Sequence, residues 1–144
     1  MSDKHNLEIL NSIYKNSKMA SDSICQVLEQ CDDNNLKKYI AKQQKQYEED
    51  YHKTGRRIRE IGGTAENPPA MASFMASAGV DMKTMFDKSR QNIAKLMYNG
   101  TNMGIVDITR VLNRASDADG AVIEEAKALL KREQNYADGL KKYL

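Results

Sequence analysis

The chain is short of the residues that break or staple a fold. Two prolines and eight glycines are spread over 144 residues, and tryptophan is absent. So few breakers, set against eight methionines, point to an all-helical chain. Two cysteines, Cys25 and Cys31, lie six apart on one expected helix, roughly 9 Å along its axis, too far for a disulfide between them. They read as reduced thiols of a reducing compartment. No apolar run approaches the roughly 18–20 residues of a membrane span. The opening MSDKHNLEIL lacks the apolar stretch of a signal peptide, so a cytoplasmic location is expected. Asn99-Gly100-Thr101 then matches a glycosylation sequon by chance. An excess of one charge is also missing: the net charge is +2, which supplies no field to draw nucleic acid or membrane. No nucleophile–base motif, glycine-rich phosphate loop or zinc spacing occurs.

What the chain has is helical periodicity. Leu10, Ile13, Ser17, Ser21, Ile24, Leu28 and Cys31 recur at three- and four-residue steps and predict a first helix over 4–31. Asp32 to Asn35 form a break, with Asp33 as N-cap of a second helix over 34–61. Its apolar stripe is Leu36, Ile40, Tyr47, Tyr51, Ile58 and Ile61, and Gly62-Gly63 ends it. Pro68-Pro69 lead into a short helical piece over 70–78. Gly79 interrupts, Asp81 recaps, and a third helix is expected over 82–113. Ser116 to Gly120 make the next turn before a fourth helix over 121–143. The expectation is one domain over 1–144: an all-α four-helix bundle of two helical hairpins, joined by a long link with a short extra helix. That link either crosses the bundle or folds back locally.

The segment EEDYH (48–52) carries Glu49 and His52 three apart, the spacing by which di-iron bundles place two ligands on one helix face. Rotational phase argues against that use. With Tyr47 at the centre of the inner face, Glu49 lies roughly 200° and His52 roughly 140° away, toward solvent. Glu48 sits nearer the edge of the stripe. On the fourth helix Val122, Ala126, Leu129, Tyr136 and Leu140 face inward, and Glu133 falls within roughly 20° of Val122. A carboxylate there is costly unless hydrogen-bonded, paired or metal-bound.

Folding each hairpin about its turn sets Ser17 and Ser21 beside Gln44 and Tyr47, and Glu133 near Gly100 and Thr101. A central polar layer of Glu133, Tyr47, Tyr51, Gln44, Ser17, Ser21 and Gly100 is therefore expected, with hydroxyls serving the carboxylate. Asp107 also falls on the inner face of the third helix, nearly two turns from the level of Glu133. Gly100 and Gly104, with Met103 beside them, form a small-residue seam suited to close helix packing or a homodimer contact. The methionines read as core filler. Arg56-Arg57-Ile58-Arg59 places positive charge at a helix C-terminus, where the dipole favours it, and makes no nucleic-acid patch.

On the Glu49–His52 pair and the run Glu133-Gln134-Asn135-Tyr136, the chain resembles the ferritin-like superfamily of four-helix bundles. The stretches KLMYNGTNMGIVDITRVLNRASDADG and REQNYADGLKKYL are similar to uncharacterised small bacterial members of that type. In metal-bearing members the resemblance implies iron or manganese and oxygen chemistry. This chain has no inward glutamate on its first helix, an outward His52, and Tyr136 where the second histidine would stand. The resemblance and these departures together imply a retained scaffold without the metal: a bacterial homodimer with no cofactor, acting by protein–protein association. The alternative is an iron- or manganese-binding protein that uses Glu133 with Tyr47, Tyr51 and Glu48 or Asp107.

Overall fold

The structure, a computed structural model, describes residues 2–68 and 89–144. Within them the chain forms α1 (Ser2–Leu28), α2 (Asn34–Glu60), α3 (Arg90–Arg114) and α4 (Gly120–Leu140), closed by a 3₁₀ turn, Lys141–Tyr143. Among the described residues there is no strand, and no helix is long and apolar enough to cross a membrane. The fold is an all-α four-helix bundle.

The helix ends follow local chemistry. Asp33 caps α2, its carboxylate accepting from the Leu36 amide at 2.9 Å. Gly62 ends α2 by taking a positive φ of 83°, which lets Gly63 donate back to the Ile58 carbonyl at 2.9 Å. α1 stops at Leu28 rather than at position 31, because the chain tightens into turn bonds from Gln30 to Val27 and from Cys31 to Leu28. The third helix begins at Arg90, not at 82: Ser89 is extended and its hydroxyl accepts from the Asn92 amide at 3.2 Å. The short helix expected over 70–78 and the recap at Asp81 lie outside the described residues. Ile61 was expected in the inner stripe but is 40% exposed, since it stands at the cap where the backbone leaves the helical path.

α1 packs against α2, α3 and α4, and α3 packs along α4. Side chains close the remaining seam, with Tyr39 against Tyr136, Asp50 against Arg132 and Arg57 against Glu125. These pairs rise along α2 as they fall along α4, so the two are antiparallel. α1 and α3 are antiparallel as well: Asn6 exchanges two hydrogen bonds with Asp119, at 3.0 and 2.8 Å, where the α3–α4 turn meets the start of α1. It follows that α2 and α3 run parallel. α2 ends beside Leu7, whereas α3 begins beside Asp33. The end of α2 and the start of α3 therefore stand at opposite ends of a bundle about 40 Å long.

Ile9, Leu10, Ile24, Leu36, Ile40, Ile58, Ile108, Leu129 and Leu140 are almost completely buried and form the core. Each contributes about 2 kcal/mol of apolar transfer. α1 is buried along two stripes, with Ile9, Met19 and Val27 inside as well as the expected Leu10, Ile13 and Ile24.

Candidate functional site

Halfway along the bundle the apolar core is interrupted. Glu133 on α4 is 1% exposed. Its Oε1 accepts hydrogen bonds from the Asn16 amide of α1 and, at 3.4 Å, from the Tyr47 hydroxyl of α2. Its Oε2 has no hydrogen-bond partner among the described residues. The third helix contributes an absence: Gly104 faces the site. A Cβ there would collide with Asn16 Oδ1 and lie 3.1 Å from Glu133 Oε1. The missing side chain is what lets the Asn16 amide lie against the carboxyl.

Burial raises the Glu133 pKa from its ordinary 4.5 to about 7, against the opposing pull of the Asn16 and Tyr47 hydrogen bonds and of Arg132. Near neutral pH this acid is therefore divided between its two forms. The Tyr47 phenol is pushed well up, by burial first and by Glu133 second. Tyr136, one turn along α4, is raised far above its usual range by burial and stays neutral. Its ring lies 6.4 Å from that of Tyr47, and its hydroxyl is buried without a hydrogen-bond partner among the described residues, as is that of Ser17.

The other residues singled out from the sequence are placed as follows. Ser17 and Ser21 are buried. Gln44 is half-buried and donates to the Cys25 sulfur rather than to Glu133. Tyr51 is half-buried at the rim, edge-on to Tyr14 at 6.1 Å and 4.4 Å from the His52 ring. It leaves the centre because Lys18 and His52 offer it partners at the surface. Glu48, Glu49, His52 and Asp107 are exposed. Gly100 and Met103 are half-buried, and Gly104, one turn beyond Gly100, is the glycine that meets Glu133. Among the described residues no three His, Cys, Asp or Glu side chains come together as a metal-binding group.

Asn16 is the participant that inspection of the sequence missed. It lies about 100° round α1 from Ser17, on the second buried stripe. The spacing of Ile9, Met19 and Val27 carries that stripe, and a glycine at 104 is the matching signal on the opposite helix. Asn16 also lines a groove of about 450 Å³ between α1 and α3, whose rim includes Lys15, Glu66, Asp107 and Arg110. The Asn16 side chain therefore links the buried acid to that groove. Chemically, the site can hold or release a proton on an acid tuned to neutrality, with neutral donors around it.

Residues 5–114 match the family described as a domain of unknown function, DUF2383, and the chain belongs to that family. The match covers α3 and most of α1 together with all of α2, while Glu133 lies beyond it. No curated protein and no solved structure gives a significant match.

Proposed function

We propose that the protein is a ferritin-like bundle that has kept the scaffold and works by association, with a second copy of itself as first partner, and not by catalysis. The observation that carries this reading is the bonding of Glu133. Two uncharged donors, the Asn16 amide and the Tyr47 hydroxyl, point at its Oε1. Donors aimed at a carboxyl make a hydrogen-bonded core acid; a hard cation would instead need several oxygen or nitrogen acceptors converging on it. The ferritin-like part is supported by the helix order, in which one long connection joins two parallel helices. The association part is supported by the outer face of α3, where Val106 is 46% exposed beside half-buried Met103 and Ile105. Two unpaired thiols suit a bacterial cytoplasm. The test is metal analysis and sedimentation on protein purified without chelator. A metal-free dimer supports the reading, and stoichiometric iron or manganese overturns it.

A second reading, an iron or manganese protein, is favoured by one observation, the buried Glu133 Oε2 that has no hydrogen-bond partner among the described residues. It predicts that Glu133→Gln abolishes metal uptake.

A further inference from the structure

Charge is unevenly distributed along α2. From Asn34 to Tyr47 the helix carries Lys37, Lys38, Lys42 and Lys45 and no acid, in a protein whose net charge is only +2. Lys38, Lys42 and Lys45 follow one another at four- and three-residue steps and so share one face. That face borders a groove of about 570 Å³ at the end of the bundle where α2 and α3 begin and α4 ends. Its charged lining comes from three separate segments: Lys38 and Lys42 of α2, Arg90 of α3, and Lys142 of the closing turn. Tyr39 and Tyr143 form its floor, their rings 6.2 Å apart. Among the described residues no carboxylate lines it. Of the acids nearby, Asp33 caps α2 and pairs with the groove's Arg90 at 3.9 Å, and Asp138 holds Lys141 at 3.1 Å.

Through Tyr39 and Lys42 this groove continues into a second, of about 500 Å³, along which Lys45 extends the cationic row. Glu49 closes the far end, and Arg132 there is already paired with Asp50 at 2.7 Å. The Tyr39 hydroxyl is committed to the Tyr136 carbonyl at 3.0 Å, so its ring offers an apolar wall. Arg90 is balanced by Asp33, but Lys38, Lys42 and Lys142 have no ion-pair partner among the described residues, and an anion among them relieves their mutual repulsion. The amino ends of α2 and α3 add positive potential at the same place. Lys38 to Lys45 extend over roughly 10 Å of helix, more than one phosphate group occupies.

We propose that this cationic groove binds an oligophosphate anion, several phosphate groups linked in series, either free or carried by a nucleotide. The site does not involve Glu133, so it holds whether or not the association reading does.

The test is calorimetric titration of the full chain with tripolyphosphate, ATP and orthophosphate, at low salt and at about 0.15 M salt, where exposed charges are screened beyond about 8 Å. Tripolyphosphate is expected to bind saturably at one site, about tenfold or more tighter than orthophosphate, and to weaken at the higher salt. Lys42→Gln, at the junction of the two grooves, lowers the affinity by about tenfold, the loss of one charge-assisted contact. Arg110→Gln, at the groove between α1 and α3, leaves it unchanged. Equal affinities for ATP and tripolyphosphate assign the phosphates alone as the recognised group; tighter ATP binding assigns a nucleotide whose base lies on the tyrosines. Lys42 is exposed, so the variant keeps its fold, which circular dichroism checks. Absence of saturable binding at low salt, or equal loss in the Lys42 and Arg110 variants, overturns the proposal.

Discussion

The Tyr47 hydroxyl donates to Glu133 Oε1 across 3.4 Å and ties the middle of α2 to the middle of α4. Both side chains are almost completely buried, so the bond forms where an unmade one would be costly. With Asn16 from α1 and the open slot at Gly104 of α3, it makes one position at which all four helices meet.

Glu133 makes stability depend on pH in a stated direction. Its folded pKa, about 7, lies above the ordinary 4.5. Between those values the unfolded chain has released the proton while the folded chain keeps it. Native protein then binds more protons than unfolded protein, so stability falls as pH rises from 4.5 to about 7. The full cost above that window is about 3 kcal/mol. Glu133→Gln keeps the shape and removes the charge. Urea unfolding should find it more stable than the parent by about 1–3 kcal/mol at pH 8, with the difference vanishing near pH 4.5.

Gly104→Ala should cost about 1–2 kcal/mol, although alanine is the better helix former by about 1 kcal/mol. The new methyl displaces Asn16 from Glu133. In an Asn16→Ala background the same change should be close to neutral. A double-mutant cycle on thermal unfolding measures the difference, and additivity would contradict the contact.

Asp33→Ala should lower stability by about 1 kcal/mol, the worth of a helix N-cap. The Leu36 amide loses its acceptor, and Arg90 loses its partner at 3.9 Å. Asp33→Asn should recover most of the loss, because the cap needs an oxygen and not a charge.

The thiols should separate by reactivity. Cys25 is exposed; Cys31 is buried, and burial raises its pKa. An alkylating reagent at neutral pH should modify one thiol of the folded protein quickly and the second only on unfolding. Mass spectrometry of the digested product identifies which.

Much of the bundle could be read along the chain, because helical periodicity and caps are local. Leu36, Ile40 and Ile58 announce the inner face of α2, and Asp33 and Gly62 mark its ends. The same phase argument sends Glu49 and His52 outward and Glu133 inward. The reading failed where a side chain has a choice of neighbours. Tyr51 has the spacing of a core residue, yet it turns to Tyr14 and His52 at the rim. Gln44 turns to Cys25. Asn16 lies off the main stripe of α1 and becomes central only because two helices besides α2 pack on that side.

The residues' order determined which faces are apolar, where three of the helices begin, and that one carboxyl must enter the core. Those features depend on the fixed turn angle of the helix and on hydrogen bonds within a few residues. Tertiary structure alone decided that α2 and α3 run parallel, that Gly104 and not Gly100 meets Glu133, and that cations from three segments share one groove. Each of these is set by the relative height and rotation of helices distant in sequence, which follow from packing across the whole core.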